Sequence, residues 1–394
     1  MVNLMNKNSG IAIVIGTKAE LIKCMPIMRE LNKRNLDYWF IHTGQHPLSE
    51  MCKYFGVKEP DVILTKEPDI ETKLKSKVDK NSIKWSWDII WKIRKAVRTI
   101  KPEFVINHSD TISTVAASIG SSKILNPGKK WKSVHLEAGL RSGSFFEPFP
   151  EEISRRIAEI CSDVFFAVSK KRYNFLKKRH PEKIVVHTGN SMIDATLEMI
   201  KEAKKMKFKK ERGEYAIVNM HRYENLRSRE RMKKIVNILK RLKIKTIWTL
   251  HHNTEKSLKR FGLFGEIKKN LNIKMMPLLP YYQEFLFKLS TAKFVITDGG
   301  GIQEECLVFK RPCIILRKRT EREEGLDTGL QFLSKLDVKK TIEVIRKMER
   351  GKINIKDYKN PYGEAGVSKK MVDFFEGFYK NQETSKKFLK INQH

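Results

Sequence analysis

The sequence predicts an α/β protein made of two doubly wound domains, and three observations carry that reading. Short apolar runs alternate with longer amphipathic stretches from one end of the chain to the other, the pattern of strands feeding crossover helices in a parallel sheet. Eleven such runs are too many for one open sheet, and 394 residues exceed the usual single-domain size. Polar residues of unusual types follow the runs directly, where the carboxyl ends of parallel strands hold ligands.

In chain order, the first run is IAIVIG (11–16). At about six residues it is too short for a signal segment or a membrane span and reads as a first buried strand. The runs DYWFIHTG (37–44), EFVINHSD (103–110), KSVHLEAG (132–139), DVFFAVS (163–169) and KIVVHTGN (183–190) complete a first set. EYAIVNMH (214–221), KTIWTLHH (245–252), IKMMPLL (273–279), KFVITDGG (293–300) and RPCIILRK (311–318) make a second. Each is rich in β-branched or aromatic residues and ends in a turn signal. The expected domains are 1–185 and 186–370, with the ligand in a cleft facing the carboxyl ends of both sheets. Residues 371–394 read as a terminal helix and basic tail that packs back on the first domain.

The formal charge is +34, from 79 Lys+Arg against 45 Asp+Glu, a field that attracts anions without choosing among nucleic acid, acidic membranes and phosphorylated metabolites. The basic residues alternate with apolar ones at helical spacing, as in KIRKAVRTIK and SRERMKKIVNILKRLKIK, and read as solvated helix faces. No RNP motif, zinc finger or similar module stands among them, so nucleic acid is not expected as a partner. Cys24, Cys52, Cys161, Cys306 and Cys313 are scattered, odd in number and lack a CxxC. That points to a reduced, cytoplasmic chain with no metal site.

Chemistry concentrates at the strand ends. In TDGGGIQEE (297–305), glycines open a helix, so backbone N–H groups and the positive helix start can approach a diphosphate. Glu305 lies one to two turns further on, where a carboxylate can accept from the vicinal hydroxyls of a ribose. The plain structural alternative is tight strand-to-helix packing. HLEAGLRSGSFFEPFPEEISRR (135–156) holds Glu137 at a strand end, then Glu151 and Arg155 four apart on one helix face. With Asp110 ending another strand, three carboxylates suit proton transfer at a sugar carbon or hydroxyl; a cap and an ordinary helix pair are the alternative. His221 and Arg222 end a strand of the second domain and suit a departing phosphate oxygen. Arg322 in RTEREE (319–324) either reaches the same cleft or belongs to a solvated charge run.

Taken in order, the motifs resemble the UDP-N-acetylglucosamine 2-epimerase family, whose two Rossmann-like domains share the GT-B-like architecture. GTKAELIK resembles the family's GTRPExIK, NHSDT its HGDT, and HLEAGLRSG…PFPEEISR its HVEAGLRTG…PxPEExNR. TGNSMID is similar to TGNTxID, NMHRYEN to HRRENxG, and TDGGGIQEE followed by RTEREEGL to TDSGGIQEE and TTERPEx. The match covers roughly residues 11–375.

The resemblance implies that Asp110, Glu137 and Glu151 are catalytic carboxylates and that His221, Lys23 and Arg155 surround the reacting sugar and diphosphate. It implies that Gly300, Gly301 and Glu305 hold diphosphate and ribose, that Phe285 lines the uracil pocket, and that Lys18 and Arg322 lie near the substrate. Gln45, His46, Arg222 and His251 match in part the region where bacterial members bind a second, activating substrate molecule. The implied activity is non-hydrolysing interconversion of UDP-GlcNAc and UDP-ManNAc, with no cofactor and as a homodimer. A hydrolysing epimerase and a GT-B glycosyltransferase are the alternatives. Lys18 stands for the family's Arg, Ala19 for Pro, Ser109 for Gly, Gly299 for a phosphate-binding Ser, and HHNT for HxNP. The segment 64–91 lacks the family's glycine-rich pattern.

Overall fold

The computed structural model describes residues 10–66, 80–145, 147–353 and 358–391 of the 394. Residues 67–79, which hold much of the segment without the glycine-rich pattern, lie outside them, as do residues 392–394 of the basic tail. The described strands form two sheets. The first contains β1 (Ile11–Ile15), β2 (Trp39–His42), β3 (Val62–Ile63), β4 (Phe104–His108), β5 (Lys132–Ala138), β6 (Val164–Ala167) and β7 (Ile184–His187), in the order β3-β2-β1-β4-β5-β6-β7. The second contains β8 (Tyr215–Asn219), β9 (Lys245–Leu250), β10 (Ile273–Pro277), β11 (Phe294–Thr297), β12 (Cys313–Ile315) and β13 (Gln331–Leu333), in the order β10-β9-β8-β11-β12-β13. Every pairing is parallel.

Each of the eleven apolar runs forms one strand. β3 and β13 are additional edge strands of two and three residues, too short to carry a periodic signal and held by the neighbouring backbone. β1, β4 and β8 are buried at every position, because helices cover both faces of a doubly wound sheet. In the first sheet, Ile89, Ile90, Ile93 and Val97 of helix Lys80–Ile100 pack on β1, β2 and β4. In the second, Trp248 of β9 sits among Met232, Ile235, Val236 and Leu239 of helix Arg229–Leu239.

The chain divides into two units. One takes residues 1–139, 154–195 and 363–394, the other 140–153 and 196–362. The expected boundary at 185/186 falls inside β7, whose pairing with β6 runs from Ile184 to His187; the chain leaves the first unit only after Ala195, within helix Met192–Lys205. A strand shows its sheet membership through its partners, which sequence order does not reveal. Helix Val367–Ile391 belongs to the first unit. Phe104 of β4 meets the rings of Phe374, Phe375, Phe378 and Tyr379 at 4.9–6.2 Å. Asp194 receives the backbone N–H groups of Gly366 and Ser368 at 2.8 and 2.7 Å, which fixes the helix start.

In each sheet the crossover direction reverses once, between β1 and β4 and between β8 and β11. Loops diverge there and leave a crevice at the carboxyl ends of the strands. A buried carboxylate spans each gap. Glu20 accepts from the backbone of Gly16 (2.9 Å) and Thr17 (2.8 Å) after β1, and from the hydroxyls of Thr111 (2.6 Å) and Thr114 (2.9 Å) after β4. Asp298, following β11, accepts from the backbone of His221 (2.8 Å) and Arg222 (3.0 Å) and from Asn225 Nδ2 (3.0 Å) after β8.

His108, the last residue of β4, is 1% exposed, and neither ring nitrogen has a hydrogen-bond partner among the described residues. Burial pushes its pKa down to about 4 from 6.5, with Glu137 opposing and Lys23 assisting. Between these values the unfolded chain binds the proton more readily, so stability falls as pH drops from 6.5 through about 4. We expect this residue alone to account for a loss of about 3 kcal/mol across that range. Urea unfolding of His108→Gln over the same range should show a pH slope shallower by up to one proton; an unchanged slope would refute the assignment.

Candidate active site

In the first unit the site is built from the ends of β4 and β5. The pairing of β5 with β6 slips between His135 and Ala138, and inside this irregularity Glu137 adopts φ 58°. Bulges re-aim a side chain, and a non-glycine residue in left-handed backbone marks a site where the surroundings hold strain in place. The Glu137 carboxylate, 4% exposed, receives Lys23 Nζ at 2.5 Å and Asn190 Nδ2 at 3.3 Å. Lys23 comes from helix Lys18–Lys33, which Thr17 and Glu20 open with a reciprocal capping box.

Asp110, two residues beyond β4, accepts from Nη2 of Arg155, a buried guanidinium. Ser109 before it has φ 66°, and His135 Nε2–H donates to its carbonyl at 2.9 Å. Two ion pairs, Lys23–Glu137 and Arg155–Asp110, therefore end neighbouring strands. Lys18 is exposed on the first turn of its helix. Gln45 accepts from Ser113 through its backbone (3.3 Å) and hydroxyl (2.6 Å), and the His46 backbone N–H donates to the Gly16 carbonyl at 2.9 Å.

The second unit gathers a separate set. Glu151 opens helix Glu151–Cys161, and the first three residues of that helix belong to this unit. Its carboxylate receives Arg222 Nη1 at 2.6 Å. The rings of His221 and His251 stand 4.5 Å apart at 38°. His221 is the more open of the two, and the protein packed behind its ring, together with the Arg222 charge, pushes it below the ordinary histidine value. Burial pushes His251 down to about 4. Both rings are therefore neutral at pH 7, each with one N–H to donate.

Gly299 caps helix Gly300–Val308, which follows β11 and contains Gly301 in its first turn. Glu305, 3% exposed, receives the Tyr282 hydroxyl at 2.7 Å. Phe285, half-buried on helix Tyr282–Thr291, packs against the cluster containing Leu289, Ile302 and Cys306. Arg322, 4% exposed, donates from Nε to Glu304 at 2.7 Å and from Nη1 to Glu321. The charge-run reading of RTEREE is thereby corrected for this residue. Its guanidinium is buried because carboxylates of the preceding helix and of its own loop neutralise it.

Comparison with known proteins identifies the family. A family model described as UDP-N-acetylglucosamine 2-epimerase matches residues 29–376. The chain belongs to the UDP-N-acetylglucosamine 2-epimerase family. It is 32% identical over 374 residues to the UDP-N-acetylglucosamine 2-epimerase of Methanocaldococcus jannaschii, covering 92% of this chain and 97% of that one. The crystal structure of the M. jannaschii epimerase with UDP-GlcNAc and UDP is similar with a TM-score of 0.76 at 30% identity, covering 93% of this chain and 99% of the other. The Neisseria meningitidis epimerase bound to UDP-GlcNAc is similar with a TM-score of 0.79 at 26% identity, covering 93% and 99%.

Ser109 holds φ 66°, a conformation that costs an L-residue roughly 1–2 kcal/mol. Several members of the constellation escaped sequence reasoning. Glu20, Asn190 and Asp298 lie inside motifs that were read for other residues, and Glu304 and Glu321 lie inside acidic stretches with no distinguishing spacing. Their hydrogen-bond and ion-pair partners are visible only in three dimensions.

Two adjacent glycines of this epimerase differ sharply. A Cβ on Gly299 would meet its nearest atoms, on His221 and Thr297, at 3.4 Å, whereas one on Gly300 would meet Arg322 Nη1 at 2.5 Å and Cζ at 2.8 Å. Gly300 thus makes room for a guanidinium pinned by two glutamates, in addition to any role toward a ligand. We expect Gly299→Ser to change unfolding free energy by no more than about 0.5 kcal/mol and Gly300→Ala to cost about 1–3 kcal/mol. Chemical denaturation of the two variants tests the ranking, and the reverse order would contradict the packing.

Proposed function

We propose that this protein is a non-hydrolysing UDP-N-acetylglucosamine 2-epimerase, interconverting UDP-GlcNAc and UDP-ManNAc. The observation that carries the reading is the Lys23–Glu137 pair held at a strained bulge, beside the Arg155–Asp110 pair on the next strand, in a chain of this family. An ammonium alongside a carboxylate favours its ionised, proton-accepting form. The second unit supplies a helix start, a buried arginine and neutral histidines, which suit a diphosphate and its departure.

In the proposed reaction the base takes the proton from sugar C2 while the C1–O bond breaks, and its electron pair leaves with UDP. The product pair is 2-acetamidoglucal and UDP. UDP oxygen then re-forms the bond to C1, and a proton returns to C2 on the opposite face. Asp110, Glu137 and Glu151 serve as the proton-transfer carboxylates; Lys23 and Arg155 orient two of them. His221 donates to the leaving diphosphate. Lys18, Gly300, Gly301 and Arg322 bind diphosphate, Glu305 the ribose, and Phe285 the uracil ring. Gln45, His46, Arg222 and His251 are the residues for an activating second nucleotide sugar. The homodimer is part of the same proposal and is read by light scattering on the purified protein.

Incubation with UDP-GlcNAc in D2O, followed by proton NMR, tests the reaction. Deuterium at C2 of an intact UDP-sugar is the expected result. Free UDP with free N-acetylmannosamine would turn the reading to a hydrolysing enzyme, and no C2 exchange with any UDP-N-acetylhexosamine would sink both. Glu137→Gln and Asp110→Asn should abolish exchange while leaving UDP affinity within about tenfold. A fully active variant would remove that carboxylate from the mechanism.

A further inference from the structure

Glu321 is one of the most deeply buried charges in the second unit, with 0% exposure, and it lies in the loop after β12. Three arginines converge on it. Arg322 Nη1 donates to its Oε1, Arg317 Nη1 lies 3.0 Å from its Oε2, and Arg222 Nη2 lies 3.8 Å from its Oε1. Each of those arginines has a second carboxylate: Arg222 reaches Glu151 at 2.6 Å, Arg322 reaches Glu304 at 2.7 Å, and Arg317 Nε lies 3.7 Å from Glu224. Charges therefore alternate from Glu151 through Arg222, Glu321 and Arg322 to Glu304, all within one unit. At the Arg322 end the guanidinium lies against Gly300, at the start of the helix that follows β11.

Without a negative centre, three guanidinium groups this close would repel one another and swing apart. We propose that Glu321 is a positioning residue: it fixes Arg322 against the diphosphate cradle and Arg222 against Glu151. One buried carboxylate thus sets both the group that neutralises the leaving diphosphate and the partner of a proton-transfer carboxylate. The inference rests on the proposed epimerase reading and assigns Glu321 no contact with substrate. Positioning errors of about an ångström cost about a hundredfold in rate when geometry is the source of catalysis.

The sign of the effect on UDP binding separates this role from simple electrostatics. Removing a negative charge beside a diphosphate site should tighten anion binding if Coulomb's law alone governs. If Glu321 holds Arg322 in place, Glu321→Gln instead weakens UDP by about tenfold or more and lowers kcat by about a hundredfold. A double-mutant cycle by calorimetry with UDP then uses Glu321→Gln, Arg322→Ala and the pair. The double variant should bind UDP no more weakly than Arg322→Ala, because the two residues act through one guanidinium. Additive losses, or UDP affinity equal to or tighter than wild type in Glu321→Gln, would overturn the inference. Should Glu321→Gln not fold, Glu321→Asp keeps the charge, shortens the reach by one methylene and runs through the same cycle with the same expected outcome. A wild-type chain that fails to bind UDP would overturn the functional reading together with this inference, whereas an active wild type with an unimpaired Glu321→Gln overturns this inference alone.

Discussion

Each sheet depends on one carboxylate buried at its switch point. A doubly wound sheet sends neighbouring chain segments to opposite faces where its strand order reverses, and so leaves polar loop backbone facing a gap. Glu20 fills one gap and Asp298 the other, each accepting from loops on both sides. Burial alone raises the pKa of both groups, and the hydrogen bonds they receive oppose that shift. A buried charge is tolerated when several donors replace its water. The consequence is rigid placement of GTKAELIK relative to NHSDT, and of NMHRYEN relative to TDGGG.

On that scaffold charged side chains stand in pairs. Lys23–Glu137 and Arg155–Asp110 stand at adjacent strand ends, and Arg222–Glu151 and Arg322–Glu304 occupy the second unit. Backbone strain accompanies the first group: Glu137 and Ser109 both hold left-handed φ values. Strain of this kind persists only where surrounding contacts over-determine it, here the β5 irregularity, the hydrogen bond from His135 and the Lys23 pair.

The second unit adds a linked set of charges. Gly300 leaves room for the Arg322 guanidinium, and Arg222 and Arg322 are neutralised in alternation with Glu151, Glu321 and Glu304. The interleaving of the chain matters as well. Residues 140–153 lie between two segments of the first unit yet belong to the second; Glu151 pairs with Arg222, and Arg155, one helical turn on, pairs with Asp110.

By itself, the sequence determined the eleven principal strands, their arrangement in two parallel sheets and the family, because buried parallel strands read as apolar runs and the motifs at their carboxyl ends are local. It also placed Glu137, Asp110, His221 and the triple glycine at strand ends, since those positions follow from strand and turn signals. Tertiary structure decided the edge strands β3 and β13, the membership of β7 and of residues 140–153, the bulge that turns Glu137, and the burial of Arg322 and Glu321 among opposite charges. The division has one physical reason. Hydrophobic periodicity and turn chemistry are properties of neighbouring residues, whereas pairing of buried charges depends on groups such as Glu151, Arg222 and Glu321, which lie far apart in the chain and meet only when the fold brings their loops together.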